Sequence, residues 1–273
     1  MTQAENTAPA GAGAAAAAPA AAAAPVALVT GAGRRIGRAI ALGMAQAGWD
    51  VAVHYRQSLA EAQQVVAEIA AMGRRAIALP CDLADEAAVR VLLPQAAAVL
   101  GPVSCVVNNA SLFDYDSAAD FTLARLEAHM APNVAAPILL AQALHAATPD
   151  GAQAVVLNLL DQKLYNLNPD FLSYTLSKAA LHAATTLLAQ ELAPKVRVVG
   201  IAPGITLVSG DQSEAGFAKA HTQTPLGRSS TPEDIVAAVL YAAGARALTG
   251  TTLLVDGGQH LQASPRDVMF LAK

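Results

Sequence analysis

The chain has 273 residues, a mass of 27.7 kDa and a formal net charge of −4, with a pI of about 5.8. That is enough chain for one large domain, and the acidic balance leaves no electrostatic footprint for a nucleic-acid partner. Hydrophobic residues reach 54%, but roughly a quarter of the chain is alanine, above usual usage, and no run of about 18 strongly apolar residues reads as a membrane span.

Residues 1–25 are almost entirely Ala, Gly and Pro after a few polar residues. Pro9, Pro19 and Pro25 interrupt any long Ala helix, so the expectation is a disordered or loosely helical tail. The segment has neither the basic start and apolar core of a secretory signal nor the arginines of a transit peptide, and a cytoplasmic location is the expectation. A single domain is expected over residues 26–273. Cys81 and Cys105 have no metal-ligand spacing and form no disulfide framework. They are expected to be reduced cysteines beside strands, and no metal site is expected.

From Val26 the chain alternates short apolar runs with amphipathic stretches. The runs are Val26–Thr30, Val51–Tyr55, Ala76–Pro80, Ser104–Asn108, Ala154–Asn158, Arg197–Ile201 and Thr252–Val255. Helical patterns cover Ile36–Ala47, Leu59–Met72, Glu86–Leu100 and Leu172–Leu192. This alternation predicts an α/β domain, a doubly wound seven-stranded parallel sheet with helices on both faces. Ligands of such sheets bind beyond the carboxyl ends of the strands, so the residues after each run are the functional candidates.

The first run leads into Thr30-Gly31-Ala32-Gly33-Arg34-Arg35-Ile36-Gly37. Glycines there allow a tight turn and a close approach to a pyrophosphate, and the helix start adds unpaired N–H groups and a positive dipole. Arg34 and Arg35 place two guanidinium groups where an anionic cofactor would lie. After the second run, His54-Tyr55-Arg56-Gln57-Ser58 contains no carboxylate. An NAD site usually carries one there; Arg56 and Ser58 instead offer a cation and a hydroxyl to a 2′-phosphate, which argues for NADPH. Tyr174 and Lys178 stand four residues apart on one helix face. The Lys ammonium should stabilise the phenolate and lower the Tyr pKa, making a proton donor or acceptor near neutrality.

These segments together resemble the short-chain dehydrogenase/reductase family. The resemblance covers Val26 to about Gly258, with Arg35 standing where the family usually has Gly. It implies catalytic roles for Tyr174, Lys178 and Asn133, the last on the preceding long helix and holding a proton-relay water. It implies cofactor contacts at Gly31, Arg34, Arg35, Ile36, Tyr55, Arg56, Ser58, Asp82, Leu83, Asn109, Ala110, Ser111, Tyr174, Lys178, Pro203, Gly204, Ile205 and Thr206. Asp82 matches an adenine contact, with a helix N-cap as the other reading. The segment Leu207–Thr224 resembles the family's substrate lid, and a homotetramer is implied. The tail around His260 and Pro265–Phe270 either reaches a neighbour's site or packs on its own subunit.

Most of the family carries Ser thirteen residues before the Tyr; here Asp161 stands there. A carboxylate so placed raises the phenol pKa by repulsion. It suits a substrate with ring nitrogens and an amino group better than a bare carbonyl. The pattern of Asp161, Tyr174 and Lys178, with the loop Arg and the His-Tyr-x-x-Ser segment, resembles pteridine and dihydromonapterin reductases. In that resemblance Phe113 stacks on the pterin, Ser111 contacts cofactor or pterin, and Asp161 and Tyr174 bind substrate. Loop packing is the other reading of Phe113. The function expected is NADPH-dependent reduction of a pterin-like small molecule. The alternatives are a short-chain carbonyl reductase of a ketone, 3-oxoacyl or sugar substrate, and an NADPH-binding protein without turnover.

Overall fold

Seven aliphatic runs become strands: β1 (Val26–Val29), β2 (Asp50–Tyr55), β3 (Ala76–Pro80), β4 (Val103–Asn108), β5 (Ala154–Leu159), β6 (Val196–Pro203) and β7 (Thr252–Val255). In this computed structural model, which describes residues 23–208, 212–267 and 270, they form one parallel sheet in the order β3-β2-β1-β4-β5-β6-β7. The expected doubly wound sheet is therefore present. The expectation of a loose tail falls on residues 1–22, outside the described residues.

The five inner strands are buried on both faces, the edge strands β3 and β7 only partly, and side-chain alternation divides them between two cores. Leu28, Ala52, Val106, Val156 and Val198 face α3 (Glu86–Leu100), α5 (Ala136–Ala147) and the end of α6 (Leu172–Glu191). Ala27, Val51, Val53, Val107, Leu157 and Ile201 face α1 (Arg35–Gln46), α2 (Leu59–Ala71) and α8 (Pro232–Gly244). Fully burying a Leu or Val side chain contributes about 1.5–3 kcal/mol, so the alternation fixes which helix covers which face. No helix among the described residues is long and apolar enough to cross a membrane.

Chain order reverses around β1, which lies between β2 and β4. The carboxyl ends line up there, Val29 beside Val53 and Val107, and Asn108 beside Asn158. The loops after β1 to β6 consequently open along one edge of the sheet.

Two features depart from the expected elements. Asn133 sits on a helical stretch that is continuous over residues 123–147, but not in a regular α-helical turn of it. It lies in a π-helical segment, Ala131–Ala135, between α4 (Leu123–Met130) and α5. Pro132 has no N–H to give the α-helical ladder, and a wider local turn accommodates that loss. The lid-like segment also contains a helix, α7 (Glu214–Thr222), whose N-cap Ser213 accepts the Gly216 N–H at 3.0 Å. Residues 209–211 of that segment lie outside the described residues.

Candidate active site

The aligned loops enclose a cleft of about 930 Å³, in the range of small-molecule and cofactor sites. Its wall begins in the glycine turn. Gly31 has φ +63°, and a Cβ on Gly37 would come within 2.2 Å of the Gly31 carbonyl oxygen and 2.5 Å of Asn109 Nδ2. Only hydrogen fits there, so α1 starts directly against the loop. Asn109 locks the turn from the side, its Nδ2 donating to Thr30 O at 2.9 Å and its N–H to Thr30 Oγ1 at 3.0 Å. Asn108 Nδ2 donates to Asn158 Oδ1 at 2.8 Å, joining β4 to β5.

Arg35 has φ +54°. The left-handed region disfavours side chains with a Cβ, which gives a physical account of the glycine usual at this place. Its guanidinium donates to Val208 O at 2.7 Å, tying the loop to the start of the lid segment. Arg34 lines the cleft and pairs with Glu61, its side chain 62% exposed.

Gly31, Ile36, Arg56, Ser58, Asp82 and Leu83 also line the cleft, as do Ala110, Ser111 and, farther along, Pro203, Gly204, Ile205 and Thr206. Asp82 Oδ1 accepts the Ala84 N–H at 2.9 Å, while the N-cap of α3 is Asp85. The helix-cap reading of Asp82 is thereby corrected. Thr206 Oγ1 donates to Gly204 O at 2.9 Å and meets Ser230 Oγ at 2.7 Å.

Tyr55 is a correction. Its side chain packs into the core with Val51 and Val53 and does not line the cleft. In a strand successive side chains point to opposite faces, and His54 is the one that reaches the cleft. His54 Nδ1 accepts the Gly31 N–H at 3.0 Å, which leaves Nε2 to donate to Cys81 O at 3.0 Å. Burial holds its pKa below the ordinary value. The neutral imidazole thus braces the glycine turn against the end of β3. The strand alternation carries the signal, one residue before Tyr55.

At the other end of the cleft, α6 presents Tyr174 and Lys178 on one face, and the loop after β5 presents Asp161. Tyr174 Oη donates to Asp161 Oδ2 at 2.8 Å, and Lys178 Nζ donates to Leu159 O at 2.7 Å. Burial, followed by the charge of Asp161 and its hydrogen bond, pushes the Tyr174 phenol well above its ordinary pKa. The expected lowering by Lys178 is therefore corrected: desolvation and the carboxylate win. The ammonium lies 5.7 Å from the centre of the ring and is turned to a carbonyl. Burial pushes Asp161 up and brings Lys178 down to about 8.

Asn133 braces the loop that follows β4. Its Oδ1 accepts the Leu112 N–H at 2.8 Å, and its Nδ2 donates to Leu112 O at 3.0 Å and Ser177 Oγ at 2.9 Å. The side chain thereby holds the Ser111–Phe113 loop and ties it to α6 through Ser177. Phe113 itself lines the cleft, stacked on Phe171 at 4.3 Å between centroids and edge-on to Tyr174 at 4.6 Å. Phe171 has φ +56° at the entrance to α6. Buried Asp116 secures that entrance by accepting the Ser173 N–H at 2.8 Å and the Ser173 hydroxyl. Phe171, Asp116, Gln162 and Asp267 were not among the expected site residues, and all but Asp116 and Phe171 line the cleft.

A doubly wound sheet whose switch-point cleft joins a glycine turn to a Tyr-x-x-x-Lys helix defines a nucleotide-cofactor oxidoreductase fold. The chain belongs to the short-chain dehydrogenase/reductase family: residues 31–260 match the family described as enoyl-(acyl carrier protein) reductase. The structure of FolM, alternative dihydrofolate reductase 1 from Brucella canis complexed with NADP, is 40% identical with a TM-score of 0.85, covering 90% of this chain and 97% of that one. The L-rhamnose 1-dehydrogenase (NAD(P)(+)) of Sphingomonas sp. is 32% identical over 249 residues, 86% of this chain and 95% of its own. The 3-oxoacyl-(acyl-carrier-protein) reductase FabG of Staphylococcus aureus (strain Mu50) is 31% identical over 245 residues, 86% of this chain and 98% of its own.

Proposed function

We propose that the protein is an NADPH-dependent reductase of a pterin-like substrate. The observation that carries this reading is the half-buried hydrogen bond from Tyr174 Oη to Asp161 Oδ2 at 2.8 Å, within reach of the aromatic wall formed by Phe113. A carboxylate is a poor partner for a ketone oxygen, because acceptor meets acceptor. It is a good partner for the N–H and amino groups of a reduced heterocycle. The likeness to FolM supports the same reading.

The cofactor end of the cleft fits a 2′-phosphorylated dinucleotide. Arg56 and Ser58 would take the 2′-phosphate, and the start of α1 with Arg34 and Arg35 would face the pyrophosphate. Lys178 would hold the nicotinamide ribose. When bound, NADPH supplies the hydride. Tyr174, kept protonated by its raised pKa, would turn its one proton from Asp161 Oδ2 to a ring nitrogen of the bound substrate, and the phenoxide would regain a proton from solvent after product leaves. Asp161, itself pushed up by burial, receives the Tyr hydroxyl and orients it. Phe113 offers a flat apolar face to the ring.

The test is purified protein with NADPH and a dihydropterin, followed by NADPH absorbance. Turnover is expected, with weaker pterin binding in Phe113→Ala and collapse of activity in Asp161→Ser. Absence of turnover, with pterin binding unaltered in Phe113→Ala, overturns the reading. The likeness to L-rhamnose 1-dehydrogenase and FabG favours a second reading, reduction of a carbonyl substrate. Under that reading Asp161→Ser keeps or gains activity.

A further inference from the structure

The C-terminal arm brings another carboxylate to the substrate end of the cleft. Arg266 donates to Asp170 through Nε at 2.8 Å and Nη2 at 2.8 Å, and the Asp267 N–H donates to Asp170 Oδ2 at 2.7 Å. Asp170 is buried, its side chain only 4% exposed. Desolvation alone would raise its pKa, but the hydrogen bonds from Arg266 and Asp267 prevail and hold it below the ordinary range. Aromatic contacts add to the clamp: Phe270 lies 6.1 Å from Phe171 and 5.6 Å from Tyr115, with the Arg266 guanidinium 4.7 Å over its ring. So anchored, Asp267 lines the cleft.

Lys163 joins this arm to the centre of the site. Its backbone N–H donates to Asp161 Oδ1 at 2.8 Å. Its buried ammonium donates to Asp170 O at 2.6 Å and meets Asp267 Oδ2 at 3.3 Å. A single residue thereby sets the spacing of two carboxylates, Asp161 and Asp267, on the same wall. After burial, the charge of Asp267 is among the influences that raise both Asp161 and Tyr174.

We propose that Asp267 is a specificity-determining residue, selecting heterocycles that present an amino or ring N–H donor at this wall over the same ring bearing a carbonyl oxygen there. Arg266 and Asp170 are the positioning residues that deliver it. The inference rests on the pterin reading above and deepens it. An ionised carboxylate only accepts hydrogen bonds. A donor edge is therefore bound, whereas a carbonyl oxygen brings lone pairs against lone pairs, and discrimination comes from the unpaired group left behind. The Lys163 ammonium meets Asp267 Oδ2 at 3.3 Å and holds the carboxylate at the wall.

The test uses the full chain with NADPH and two substrates: a dihydropterin, and its analogue in which the exocyclic amino group is replaced by oxygen. The wild type should prefer the amino compound in kcat/KM. Asp267→Asn should shrink that preference about tenfold, the scale of a charge-assisted hydrogen bond, through the KM of the amino compound, because an amide also offers a donor. Arg266→Met should act in the same direction, with NADPH affinity by fluorescence titration unchanged in both variants. An unchanged preference in Asp267→Asn, or an equal loss on both substrates as a merely structural role would give, overturns the inference while leaving the pterin reading standing. Failure of the wild type to reduce either compound overturns the pterin reading and this inference with it.

Discussion

The two ends of the cleft are built by different means. At the cofactor end, backbone meets backbone: Gly37 lies against Gly31, and Asn109 ties the turn to β1. Precision there comes from missing side chains. At the substrate end, side chains distant in sequence meet as charged and aromatic partners: Asp170 with Arg266, Lys163 with Asp267, Asp116 with Ser173, Phe113 with Phe171. The first end is steric and tolerates almost no added atom. The second is electrostatic, so its residues can be exchanged with the fold retained but the chemistry changed.

The largest effect expected from this contrast is at the substrate end. Tyr174→Phe removes the proton donor and should lower kcat by about 10²–10⁴-fold, the usual range for a general acid. NADPH affinity, set at the other end, should stay nearly constant in a fluorescence titration. Loss of both together would show that the two ends do not function separately.

Next comes Gly37→Ala. Its Cβ would stand 2.2 Å from the Gly31 oxygen, and overpacking of this kind costs about 1–3 kcal/mol or more. Thermal melting should show lower stability, and NADPH binding should be lost or weakened by at least about tenfold, since each 1.4 kcal/mol is a factor of ten. Arg56→Ala should have a smaller and more selective effect. It should weaken NADPH by about tenfold, the scale of one charge-assisted hydrogen bond, and leave NADH almost unaffected. Equal loss for both cofactors would remove Arg56 from the 2′-phosphate.

The smallest effect concerns His54. Its folded pKa is depressed by burial, so below the ordinary histidine value near 6.5 the unfolded chain binds a proton that the folded chain refuses. The stabilisation is complete above that pH and is lost as pH falls through the folded pKa. Chemical denaturation of wild type and His54→Gln at a series of pH values should show the wild type losing more stability than the variant below about pH 6.5. Parallel curves would remove His54 as the brace of the glycine turn.

Much of the cleft is legible in the sequence where its determinants are local. Strand runs, the glycine spacing and the Tyr174–Lys178 interval each fall within one element and its adjoining loop, where periodicity and steric rules apply directly. The error at Tyr55 was one residue of strand register, which reverses the face. Asn133 was located by its surroundings, but its side-chain partners lie 21 and 44 residues away, and no local pattern encodes them. Asp161 was recognised as unusual, yet its effect on Tyr174 against that of Lys178 depended on burial and distance.

The sequence by itself determined the doubly wound sheet, the position of the cleft at the strand ends, and the cationic preference after β1 and β2, because short-range sterics and two-residue alternation are written along the chain. Only the tertiary structure decided that Tyr174 holds its proton, that Arg35 occupies a left-handed turn, and that Asp267 joins Asp161 on one wall. Desolvation and the pairing of residues 104 apart, as in Lys163 and Asp267, arise when the chain closes on itself, and have no counterpart in any stretch of it.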